Sequence, residues 1–327
     1  MANRVAGENS KDMDTWETTE AVVNRNYISG AEAMFVQNSL GAINTRTFRS
    51  LPLIIAVTLL CSFSLAGQNF RFTVIQRDLV LERLRGCPKQ NLDREQQLQN
   101  YFAQAGCPGS ELVLDQPRHS RFGNVVCTLR GSSDRQIVVG AHFDHVSVGA
   151  GVVDNWSGAS LLPSLYEAVA AEPRRHRFVF IGFYGEEQGL VGSENYVRKI
   201  AKDKLETIDA MVNLDSLGLG PTNIWLSHAD PDLAKLAISL ANALKLPISG
   251  VNADGVASTD AESFREKKIP TISFSSVTQA TLPILHSTKD QLAQVKEDDY
   301  YSTYRFLSAY LSYLDSAVPE RTARKSR

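Results

Sequence analysis

The stretch "GAHFDHVSVGAGVVDNWSGAS" (residues 140–160) places His142, Asp144 and His145 where the apolar run "QIVVGAH" gives out, and follows them with Asp154 in a loop of Gly, Ser and Val. Farther along, Glu186 and Glu187 follow the apolar "RFVFIGFY", Asp215 ends "AMVNLDS", and His286 sits in "ILHSTKD". Imidazole and carboxylate are ligands of divalent zinc, and two such ions about 3.5–4 Å apart need a two-oxygen group to bridge them. A single aspartate can do that. In the H-x-D triplet, strand alternation puts His142 and Asp144 on one side and Phe143 on the other, so the carboxylate can hold the imidazole from behind. Neighbouring glutamates do not readily aim at one ion, which predicts a division of labour: one ligates and the other handles a proton.

Each of these residues also has a plainer reading. Asp154 can cap a helix beginning near Trp156, His286 can be a turn histidine, Asp215 can cap the turn after its strand, and the two glutamates can form a solvated turn. That account needs a separate coincidence at every strand end, whereas one shared site needs none.

The elements that must position these groups alternate along the chain. Helical stretches near residues 74–85 and 93–104 precede strands at "NVVCTL" and "QIVVGAH". A helix from Trp156 to about Ala171, the strand "RFVFIGFY", a helix around residues 193–200 and the strand "AMVNLDS" follow. The strand "NIWLS", the helix "PDLAKLAISLANALKL", the strand "TISFSS" and the helix "DDYYSTYRFLSAYLSYLD" complete the series. Continuous apolar strands between amphipathic helices predict a three-layer α/β/α sandwich with a mostly parallel central sheet covered on both faces. In such sheets ligands bind outside the carboxyl ends of strands, where the unusual polar residues fall.

The 327 residues are 43% hydrophobic, ample for a substantial core, and carry a formal net charge of −2, which gives no electrostatic case for nucleic acid. Residues 51–66, within "LPLIIAVTLLCSFSLAGQ", form an uncharged apolar run behind Arg46 and Arg49 and end in small residues, the layout of an export signal cut after Ala66. Residues 1–50 then read as a disordered N-terminal extension and signal n-region, with Met34 a candidate true start. Residues 67–317 read as one catalytic domain and 318–327 as a basic tail. The expected location is periplasmic or extracellular, with no stable membrane partner. The alternative is a membrane anchor through residues 51–66, although that run is short of the roughly 20 apolar residues a spanning helix needs. Of the cysteines, Cys87 and Cys107 bracket a helical stretch whose ends lie roughly 20 Å apart, beyond disulfide reach, so pairing of either with Cys127 is the more plausible bridge. No CxxC pair is present to make a zinc finger.

Taken in order, "AHFDH", "DNWSGAS", "GEEQGLVGS", "NLDS", "STDAESF" and "LHSTKD" resemble the co-catalytic zinc aminopeptidases of peptidase family M28. The likeness implies a zinc-exopeptidase-like fold and two zinc ions. His142, Asp154 and Asp215 would bind one; Asp154, Glu187 and His286 would bind the other. It further implies Glu186 as general base, Asp144 as the residue orienting His142, and peptides as substrates. Two departures stand out: Leu285 precedes the last histidine where some members carry a tyrosine, and Asp260 is followed by Ala261 where an Asp-His pair is common. The expected activity is removal of N-terminal residues from peptides. The alternatives are a glutaminyl cyclase-like transferase, which shares the fold but typically uses one zinc, and a non-enzymatic receptor-like relative. A serine-hydrolase elbow is excluded, because "DNWSGAS" lacks the glycine two before its first serine.

Overall fold

The computed structural model describes residues 21–24, 69–117, 120–252, 258–319 and 321. The expected export segment lies outside them, as does nearly all of the basic tail. Strand β1 (Ala21–Asn24) pairs antiparallel with β2 (Asn69–Phe72) as a two-stranded ribbon. Helices α1 (Arg77–Arg85) and α2 (Asn91–Gln104) follow, then strands β3 (Leu112–Asp115), β4 (Asn124–Leu129) and β5 (Gln136–His142). The short α3 (Ser157–Ala159) leads into α4 (Leu161–Ala170), with β6 (Arg177–Phe183), α5 (Val191–Lys199), α6 (Lys202–Leu205) and β7 (Ile208–Leu214) next. The rest is β8 (Thr222–Trp225), α7 (Pro231–Leu244), β9 (Ile248–Val251), α8 (Ala261–Arg265), β10 (Thr271–Ser275) and α9 (Glu297–Ala317).

Strands β3 to β10 form one sheet in the order β3-β4-β6-β5-β7-β10-β8-β9. The centre, β6-β5-β7-β10, is parallel, while β3, β4 and β8 meet their inner neighbours antiparallel. The central strands are apolar on both faces and the two sides of the pleat feed separate cores. Ile137, Val139 and Ala141 of β5 join Phe178 and Phe180 of β6 in one core, under α2, α4, α7 and α9. Val138 joins Val179, Ile181 and Phe183 in the other, under α5 and α8. The layered architecture expected from alternation is the one found.

Local chemistry sets the helix limits. Before α7, Asp230 accepts from the backbone N–H groups of Asp232 (3.0 Å) and Leu233 (3.3 Å), and Pro231 occupies the first turn, where its missing N–H costs nothing. In α9, Tyr300, Tyr304, Leu307, Leu311 and Leu314 recur at helical spacing and are all buried. The helix expected from Trp156 to Ala171 is instead interrupted at Ser160. Pro163 cannot donate the hydrogen bond that would tie it one turn back to Ala159. Cys107 and Cys127 form a disulfide with Cα atoms 6.4 Å apart, and Cys87 is free.

At the amino ends of the central strands a buried ionic cluster ties α9 to the sheet. His176 is fully buried, with Nδ1 2.9 Å from Asp315 Oδ1 and Nε2 3.2 Å from Asp209 Oδ2. Arg175 Nη2 lies 3.3 Å from the same Nε2, Arg135 donates to both oxygens of Asp209, and Asp209 also accepts the Arg321 N–H at 2.7 Å. Both ring nitrogens face carboxylates, which favours a proton on each, while the Arg175 guanidinium opposes it. Burial would lower the His176 pKa, but Asp209 and Asp315 outweigh it and raise it. A histidine with a raised native pKa contributes stability that is complete below its ordinary value of about 6.5 and is lost as pH rises through the native value. Thermal unfolding followed between pH 6 and 8 should therefore show a midpoint falling with pH, and His176→Gln should flatten that slope.

Candidate metal centre

Strand β5 pairs with β6 on one side and β7 on the other, so successive crossovers leave it in opposite directions. That divergence opens a crevice at the carboxyl ends of the strands. His142 ends β5; Glu186 and Glu187 lie just past β6, and Asp215 follows β7. Asp154 and His286 arrive on loops. These six side chains together line one cavity of about 680 Å³.

Asp154 stands between the two imidazoles. Its Oδ1 is 3.3 Å from His142 Nε2, and its Oδ2 is 3.1 Å from His286 Nε2. His286 Nε2 is also 3.0 Å from Glu187 Oε2, while His142 Nε2 is 3.9 Å from Glu186 Oε2. Donor atoms of His142, Asp154 and Glu187 lie within 4.8 Å of one another and could hold a cation. Asp215 is buried nearby, its Oδ1 accepting from Ser216 Oγ at 2.9 Å. Both Ser216 (φ 57°) and His286 (φ 52°) adopt the left-handed conformation that L residues seldom take, a strain typical of functional loops.

The remaining predicted residue, Asp144, lies beneath the cavity. Its Oδ1 is 3.6 Å from His142 Nδ1, yet its main-chain carbonyl is nearer, at 3.2 Å. The carboxylate instead accepts the N–H of Glu186 at 3.2 Å and that of Glu187 at 3.3 Å, one on each oxygen. It thus orients the glutamate pair as directly as it does the histidine. His145 turns away, its Nε2 3.1 Å from the Lys89 carbonyl.

The sequence assigned no site role to Asn155 or Asp260. Asn155 donates to the Leu214 carbonyl at 2.9 Å and accepts from Gly158 (3.0 Å) and Ser216 (3.1 Å), strapping the Asp154 loop to the end of β7. Gly158 is required beside it, since a Cβ there would lie 2.6 Å from Asn155 Oδ1 and 2.7 Å from the Leu214 carbonyl. The "DNWSG" spacing was the available signal. Asp260 precedes α8, but its side chain caps no amide and does not line the cavity. It is buried among the acids with Ser193 nearby, and among the described residues neither oxygen makes a well-formed hydrogen bond. Leu285 does line the cavity, and no tyrosine does.

Burial raises the pKa of Glu186, Asp215 and Asp260, and pushes Glu187 up to about 7. Burial would also raise Asp154, but hydrogen bonds from His142 and His286 overcome it and hold that carboxyl low. His286 is raised to about 9, chiefly by Asp154. Close carboxyls that burial keeps from ionising readily, and a buried Glu187 Oε1 with no donor among the described residues, suit the binding of a cation.

The family follows from comparison. Residues 124–311 match the model of peptidase family M28, more than half of the chain, and the protein belongs to that family. An aminopeptidase of Pseudomonas aeruginosa is 41% identical over 111 residues, which make up 33% of this chain and 20% of the relative. The chain thus spans about a fifth of the length of that curated relative. The LapA aminopeptidase of Legionella pneumophila superposes with a TM-score of 0.65 at 19% identity, over 75% of this chain and 73% of its own. A glutaminyl cyclase of an Acidobacteriales bacterium superposes at 0.61 and 14% identity, over 73% of this chain and 93% of its own. Both superpositions speak to the fold, which the α/β sheet and its flanking helices share.

Because its neighbours favour a proton on His286, and burial favours one in part on Glu187, a cation entering the site should expel protons. Calorimetric titration of zinc into the metal-free protein at pH 7, repeated in buffers of different ionisation enthalpy, should show proton release to buffer. Equal apparent enthalpies in all buffers would contradict it.

Proposed function

We propose that the protein is an exported, zinc-dependent aminopeptidase. The observation that carries this reading is the placement of Asp154, whose two oxygens face two different imidazoles. Its support for two ions is direct in chemical terms: His142 and Asp215 would complete one site, Glu187 and His286 the other, and Asp154 would serve both. Zinc bound there would lower the pKa of a water and polarise the scissile carbonyl. Glu186, held by its N–H against Asp144, would take the proton from the attacking water and pass it to the leaving amine. Export rests on residues 51–66 alone; among the described residues no helix is long and apolar enough to cross a membrane.

The cavity walls bear on the substrate. Trp225, Val251, Val277, Leu282 and Leu285 line it along with the ionisable groups, a surface that would suit an apolar side chain at the peptide's N-terminus. A glutaminyl cyclase reading retains one support: His142, Asp154 and Glu187 by themselves can hold a single ion. A panel of unblocked, N-blocked and N-terminal glutaminyl peptides, with and without zinc, separates the two. Release of apolar N-terminal residues from unblocked peptides is expected. Loss of ammonia from glutaminyl peptides with no hydrolysis would sink the peptidase.

The paired glutamates differ in what they should lose. Glu187→Gln should lower zinc affinity along with turnover. Glu186→Gln should keep the metal and lose roughly 10²–10⁴-fold in kcat with little change in KM, because the amide cannot accept the proton. Zinc stoichiometry and steady-state kinetics on both variants check this, and metal loss in Glu186→Gln means the two roles are reversed.

A further inference from the structure

The loop from Phe143 to Asp154 carries the shared aspartate, and two buried charges grip it by its backbone. Arg94, on α2, is fully buried, and each of the five N–H donors of its guanidinium finds an acceptor. Nε donates to the Pro88 carbonyl at 3.0 Å, and Nη1 donates to the carbonyls of Phe143 and Gly151, both at 3.1 Å. Nη2 donates to the Ala150 carbonyl and to Cys87 Sγ, and the guanidinium lies 5.7 Å from the Trp156 ring. Asp290, only 2% exposed, does the converse. Its Oδ1 accepts the Val153 N–H at 2.7 Å, its Oδ2 accepts the Asp154 N–H at 3.2 Å, and its main-chain carbonyl accepts the Ala150 N–H at 2.8 Å.

The cation collects the loop's carbonyls and the anion collects its amides. Arg94 and Asp290 feel each other's charge, yet neither makes an ion pair among the described residues. The peptide dipoles between them do the work of a salt bridge, compensating two charges whose unpaired burial would be costly. The glycines of "SVGAGVV" make the approach possible. A Cβ on Gly149 (φ 81°) would lie 2.3 Å from the Ser287 carbonyl and 3.2 Å from Asp290 Cβ; one on Gly151 (φ 55°) would lie 2.4 Å from His145 Cβ and 3.1 Å from Arg94 Nη2.

We propose that Arg94 and Asp290 are positioning residues that set where Asp154 presents its carboxylate, so that cation affinity depends on two charges whose hydrogen bonds reach no ligand side chain. The inference rests on the metal-site reading above. Its test uses the full chain freed of metal, with zinc affinity measured by competition against a chromophoric chelator and amide exchange followed at Val153 and Asp154. In Asp290→Asn one oxygen becomes an NH2 that opposes an N–H, so zinc should bind about 10–100-fold more weakly, the usual effect of losing a partner behind a ligand. Exchange at Val153 and Asp154 should quicken, while the amides of Glu186 and Glu187, held by Asp144, should not change. Arg94→Lys, with three donors for five acceptors, should shift affinity in the same direction, and so should Gly151→Ala. If Asp290→Asn does not fold, Gly151→Ala decides. Unaltered zinc affinity in folded variants overturns the inference alone; absence of zinc binding by the unsubstituted chain overturns the metal site and the inference together.

Discussion

Everything in the upper half of the molecule answers to an excess of negative charge that burial will not tolerate. The buried Asp144, Asp154, Asp215 and Asp260 and the half-buried Glu186 and Glu187 gather around the buried His142 and the exposed His286. Two like charges about 4 Å apart near a protein surface repel by about 4 kcal/mol, and desolvation adds to that. Such a cluster survives only if protons, amide donors or cations offset it. Amide donors engage the acids that do not face the cavity, apart from Asp260, whereas those that do face it meet imidazoles and a hydroxyl. Asp144 accepts two consecutive N–H groups, and Asp290 on the far side of the Asp154 loop does the same. The acids held in this way fix the backbones from which the cavity-facing carboxylates project.

The sheet makes that concentration possible. Parallel strands bring their carboxyl ends to one edge, and the reversal of winding at β5 spreads the flanking loops apart, so short connections reach one point from several elements. Hydrophobic strands such as β5 and β6 need no polar residues for their own stability. Their ends can therefore carry ionisable groups whose cost is covered by the cores on both faces.

Much of this was legible in the residues because departures from pattern carry information. Strands β5 and β6 were readable from unbroken apolar runs, and the site from ionisable residues placed where such runs stop. Strands β3 and β9 escaped: "LVLD" and "ISGV" are short and only partly buried, and each pairs with a single neighbour, so neither alternation nor continuity marks them. Spacing disfavoured a Cys87–Cys107 bridge but could not choose between Cys87 and Cys107 as partner for Cys127, because that choice depends on how β4 passes the turn after α2. Arg94 and Asp290 were unreadable for another reason. They act on carbonyls and amides, which every residue has, so nothing in the identity of their partners could betray them.

The two buried ionic clusters at opposite ends of the sheet show how a functional cluster can be told from a structural one. Both combine histidine with aspartate, and both perturb the pKa values of their members. At the amino ends, Asp209 and Asp315 each have donors, His176 spans them, and Asp209 falls to about 2 as Arg135 and His176 outweigh burial. The carboxylates of that network all have donors. At the carboxyl ends the carboxyl oxygens left buried without a donor, among the described residues, belong to Glu187 and Asp260. Four of the acids there are raised by burial. Perturbation marks both ends, whereas buried carboxyl oxygens without a donor, among the described residues, mark only the upper one. A cluster that satisfies itself holds the fold together; one that waits for positive charge is where chemistry can be done.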